Sequence, residues 1–120
     1  MNATIVSKEH VKVNVLDDLA KELPTIIAEV MDVPGGNLAR LHPKQISLVF
    51  SQASPRDVGS DIKIMMFARN NDPRKSTENN RAREILAKVI DLITKSGEEY
   101  SVDIRLYLME IGAAEYSRSI

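Results

Sequence analysis

A strand–helix–strand pattern fills residues 62–116, and a second copy of it precedes them in the chain. Ile62-Lys63-Ile64-Met65-Met66-Phe67-Ala68-Arg69 reads as a strand, with Ile62, Ile64 and Met66 opposing Lys63, Met65, Phe67 and Arg69. After a polar loop, Ile85, Leu86, Val89, Ile90 and Ile93 recur at three- and four-residue spacing. That stripe predicts a helix over about residues 76–95. Burying its five side chains contributes on the order of 10 kcal/mol before chain entropy is subtracted. Residues 102–110 then return to alternation, with Ile104, Leu106 and Leu108 opposing Asp103, Arg105, Tyr107 and Met109. Two parallel strands joined through a helix need a crossover of about this length.

The first half repeats the plan. Thr25–Met31 falls on Glu84–Ile90 at a shift of 59, and residues 45–52 fall on 103–110 at a shift of 58. Matched amphipathic helices alone would mean little, but a following strand in almost the same register argues for duplication. The first unit predicts a strand over residues 3–11 and a helix from Asn14 or Val15 to Met31. Asn14 is the expected N-cap, with Asp17 and Asp18 placed in the first turn. Pro24 predicts a bend within that one helix, because the apolar stripe stays in phase on both sides. Val33-Pro34-Gly35-Gly36 should end the helix. A strand over residues 45–51 follows, then a connection through Pro55 and Gly59. The fold class is α+β, β-α-β-β-α-β, with a four-stranded sheet and two helices on one face. It forms one domain, repeat one over residues 3–52 and repeat two over 62–116.

Two helices leave the other face of such a sheet bare. That face would present Val49, Met65, Phe67, Tyr107 and Met109 among its polar residues. So much apolar surface predicts self-association through the sheet.

Composition narrows the function classes. Formal charge is −1, from 16 Lys and Arg against 17 Asp and Glu, so no global field selects nucleic acid or an anionic membrane. Cysteine is absent, which removes disulfides, thiolate catalysis and cysteine-based metal sites. No apolar run reaches the ~18 residues of a membrane span, and the charged N-terminal stretch is unlike a signal peptide. These features predict a soluble, cytoplasmic protein with no cofactor. His10 and His42, far apart and without a carboxylate pattern, give no metal signal. Arg74, Lys75 and Arg81 read as a solvated basic loop. It lacks the interleaved aromatics that would stack bases.

The pattern of Arg69, Arg105, Glu110 and Tyr116 resembles the tautomerase superfamily, which includes oxalocrotonate tautomerase and macrophage migration inhibitory factor. The resemblance covers most of the chain, is strongest over residues 62–116, and looks closest to short bacterial members. It implies βαβ units assembled as a homotrimer with sheets inside and helices outside. In the oxalocrotonate branch an arginine follows the first strand of the unit, and Arg69 falls there. A second arginine opens the last strand five residues before a glutamate, as Arg105 stands to Glu110, and an aromatic ring follows six residues later, at Tyr116. By this resemblance Arg69 and Arg105 bind a substrate carboxylate and stabilise enolate charge, and Tyr116 walls the pocket. A guanidinium suits that task, being a planar fork that stays charged. The superfamily's base is an N-terminal proline, whereas this chain starts Met1-Asn2. The corresponding base would be the chain-start amine of Met1 or Asn2.

The resemblance implies a keto–enol tautomerase or isomerase acting on a small 2-oxo or enol carboxylate. Two other readings stand beside it. One is a catalytically silent binding or assembly protein of the same fold. The other is a ferredoxin-like regulatory module, which shares the element order β-α-β-β-α-β.

Overall fold

The computed structural model describes residues 1–32 and 41–116. The sheet strands are β1 (Asn2–Ser7), β2 (Ser47–Gln52), β3 (Ile62–Arg69) and β4 (Val102–Met109). They are crossed by α1 (Val13–Met31), a short α2 (Asp72–Ser76) and α3 (Glu78–Lys95). One turn of 3-10 helix, Pro43–Gln45, precedes β2.

Strand order is β2-β1-β3-β4. β1 pairs β2 in parallel and β3 pairs β4 in parallel, while β1 and β3 run antiparallel with Ile5 opposite Ile64. Each helix therefore joins two adjacent parallel strands. A ferredoxin-like module is a split βαβ, in which another strand intervenes between the two. That alternative is overturned by the strand order.

The core lies between α1 and α3 and the inward side of the sheet. Ile5, Ile62, Ile64 and Met66 meet Leu19, Leu23, Ile27, Ile85 and Val89, all fully buried. The alternation of β3 is strict, buried at Ile62, Ile64, Met66 and Ala68 and half-buried at Lys63, Met65 and Phe67. Among the described residues no helix is long and apolar enough to cross a membrane.

Several local expectations need correcting. β1 stops at Ser7 and not near Val11, because a turn closes there, with the Val11 amide donating to the Lys8 carbonyl at 3.0 Å. α1 begins at Val13 with no side-chain cap, so Asn14 is inside it and its first turn has no acidic residue. At Pro24, by contrast, α1 runs on as one helix, as the in-phase stripe predicts. β2 starts at Ser47, two residues late, since Pro43–Gln45 is helical. The helix expected over residues 76–95 is α3, which starts two residues later at Glu78, and a separate short helix, α2, occupies the stretch expected to be loop. Ile90 is exposed on α3, so the buried stripe is Ile85, Val89 and Ile93. The breaker run Val33-Pro34-Gly35-Gly36 lies outside the described residues.

Candidate functional site

The chain start lies at one end of the sheet. Asn2 pairs with Phe67, which places Met1 level with Ala68 and Arg69 one step further on. The Met1 amine donates to the Gln45 carbonyl at 3.3 Å, and the Met1 carbonyl accepts from the Ser47 amide at 3.0 Å. These bonds hold the first residue against the start of β2. Arg69 is exposed on the bare face, where its Nη2 donates to the Ile111 carbonyl at 3.4 Å. No carboxylate among the described residues lies within ion-pair distance of it. The guanidinium keeps donors for an incoming anion.

Arg105 does not join them within one chain. It stands level with Met65 on the edge strand, four residues back from Arg69, or about 13 Å along the strands. Its Nε donates to Asp103 Oδ1 at 2.9 Å. Beside it a hollow of about 320 Å³ opens at the sheet edge, between Arg105 and Tyr107 of β4 and Glu78, Asn79 and Ala82 of α3. Glu110 is exposed just past β4. Tyr116 lies on the extended tail with 89% of its surface exposed, so within one chain it walls no pocket.

His10 is exposed but partnered. It sits in the turn after β1, where Nε2 lies 3.0 Å from Asp61 Oδ1 and the ring tilts against Tyr100. The Ser101 amide donates to Asp61 Oδ2 at 3.0 Å. That backbone donation holds the Asp61 carboxyl below its usual range against partial desolvation; the Ser101 side chain, His10 and Lys8 add to the effect.

The supposed solvated loop is the largest departure from the sequence reading. Arg74 is only 5% exposed. Its Nη1 donates to the Arg69 carbonyl at 3.1 Å and its Nε to the Met31 carbonyl at 3.4 Å. Arg81 reaches the same helix end, donating through Nη1 to the Val30 and Asp32 carbonyls and through Nε to Thr77 Oγ1 at 2.7 Å. Two guanidiniums thus satisfy carbonyls at the C-terminus of α1, where positive charge opposes the helix dipole. Burial pushes the Arg74 guanidinium below its ordinary value, the neighbouring Arg81 charge pushes the same way, and Asp32 opposes both. A local signal for this turn was present in Asn71-Asp72-Pro73. The Asn71 side chain caps α2 by accepting from the Arg74 amide at 2.9 Å, and a proline follows in the first turn.

The sequence matches no protein-family model and no curated protein. Shape is more telling. Malonate semialdehyde decarboxylase superposes with a TM-score of 0.64 at 10% identity, over 100% of this chain and 93% of that one. A fused 4-OT wild-type symmetric trimer gives 0.65 at 10% identity, over 95% and 92%. Macrophage migration inhibitory factor of Toxoplasma gondii gives 0.59 at 13% identity, over 92% and 90%. The chain has the fold of the tautomerase superfamily, at a distant level.

Proposed function

We propose that the protein is a tautomerase-like homotrimer that binds a small 2-oxo or enol carboxylate at the sheet end bearing Arg69 and the chain start. The observation that carries this reading is the nearness of Arg69, without a carboxylate partner among the described residues, to the first residue in the sheet register. Malonate semialdehyde, named for one structural neighbour, is a small oxo carboxylate of the class a guanidinium fork holds in two places. In the active form, the carboxylate docks on Arg69. The chain-start amine, at Met1 or at Asn2 after Met1 is removed, takes a proton from the carbon beside the keto group. The electron pair forms the enolate, whose charge the arginines stabilise, and the proton is returned at oxygen. Arg105 enters from a neighbouring copy, with Tyr116 of a tail closing the pocket. The trimer is supported by the bare apolar face and by the trimeric neighbour. A cytoplasmic location accords with a cysteine-free chain.

A second reading, binding without turnover, is favoured by one contact. The Met1 nitrogen already donates to Gln45, and it is a primary amine where the superfamily uses proline. Ketonisation of phenylenolpyruvate tests both. Acceleration over the buffer rate that is lost in Arg69→Ala and Arg105→Ala supports the enzyme. Binding that depends on Arg69 with no acceleration supports the silent form. Neither binding nor acceleration rules out both.

A further inference from the structure

We infer that Arg74 is a positioning residue for the carboxylate site, tying the exit of β3 at Arg69 to the C-terminus of α1. This rests on the reading of Arg69 given above. A long cationic side chain buried to this degree must have its donors matched. Arg74 places two of its five donors with no carboxylate in ion-pair range among the described residues. It spends them on two backbone carbonyls 38 residues apart in sequence, Met31 and Arg69. The first belongs to the end of α1, a rigid element. The second belongs to the residue whose side chain is the proposed anion receptor. The peptide plane that carries the Arg69 carbonyl continues into the Asn70 amide, and that amide donates to the Met109 carbonyl of β4 at 3.0 Å. One plane is therefore pinned from both sides, by Arg74 through its oxygen and by β4 through its nitrogen. With that plane fixed, the Arg69 side chain departs from a defined backbone, which lowers the ordering cost of ligand capture.

Arg81 supplies the internal comparison. It satisfies the same helix end through the Val30 and Asp32 carbonyls, and none of its hydrogen bonds goes to Arg69. A purely structural cap would make the two arginines equivalent. A positioning role makes them differ. Lysine in place of Arg74 keeps the charge but has no planar fork to span two carbonyls.

The experiment compares Arg74→Lys, Arg81→Lys and Arg69→Ala in the full chain. Amide hydrogen exchange is read at Asn70, and affinity is measured for 2-oxobutanoate. Losing one such bond predicts Asn70 exchange about tenfold faster and affinity about fivefold weaker in Arg74→Lys, with neither changed in Arg81→Lys. Unchanged exchange in Arg74→Lys overturns the positioning role outright. Equal changes in Arg74→Lys and Arg81→Lys reduce Arg74 to a helix cap and overturn it as well. Faster exchange with unaltered affinity, where Arg69→Ala does abolish binding, breaks the link while leaving the site intact. Binding that survives Arg69→Ala removes the site, and the role of Arg74 in it.

Discussion

Phe67 and Tyr107 stack across the β3–β4 pair, ring centroids 5.2 Å apart and planes 13° from parallel, on the sheet face that carries no helix. The same face continues through Val49, Met65 and Met109, so the apolar side chains form a band across strands. Here the two helices are spent on the other side.

That band predicts assembly. Phe67→Lys places a charge in its middle without entering the core between sheet and helices. The wild-type chain is expected to sediment as a trimer at micromolar concentration. The variant should fall to a monomer with unchanged far-ultraviolet circular dichroism. A wild-type chain that sediments as a monomer under those conditions would end the trimeric reading.

The separation of Arg69 from Arg105 leads to a second prediction. Within one chain they stand about 13 Å apart along the strands, too far to grip one small carboxylate. If they serve one site, that site draws Arg105 from another copy. Arg69→Ala and Arg105→Ala chains should each be inactive alone. Unfolded together and refolded at equal amounts, they should regain a fraction of wild-type turnover, because some mixed trimers then hold a site with both arginines. Failure of the mixture to exceed either parent would place the two residues in separate roles.

Much of this fold was legible because it depends on periodicity. The stripes Leu19-Leu23-Ile27 and Ile85-Val89-Ile93 follow the helical repeat, and the alternation of β3 follows the strand repeat. Register between the halves disclosed the order of elements. What periodicity does not encode is where a polar side chain finds its partners. Arg74 looks like any loop arginine until the Met31 and Arg69 carbonyls, from distant parts of the sequence, converge on it. His10 likewise gains its role only when Asp61 arrives at the start of β3. Arg69, by contrast, was placed correctly at the end of its strand, since an alternating strand sets the face of every residue on it. Arg105 pairs within its own chain with Asp103, two residues back on the same strand.

The Asp61 carboxylate gives a test in pH. It ties the turn after β1 to the start of β4, accepting from the Ser101 amide and lying beside His10. Its proton affinity is lowered by folding, chiefly through that backbone donation. A carboxyl lowered in this way contributes stability that is present above its unfolded value, near ~3.9, and is lost as pH falls through its folded value. Asp61→Asn removes the charge while keeping an oxygen that can still accept from Ser101. The variant should melt a few degrees below the wild-type chain at neutral pH, and the gap should close as the pH is taken below the carboxylate range. Thermal melts of both proteins across that span supply the measurement. A gap that stays constant from neutral to acid would mean that the charge of Asp61 contributes nothing and that shape alone holds the turn.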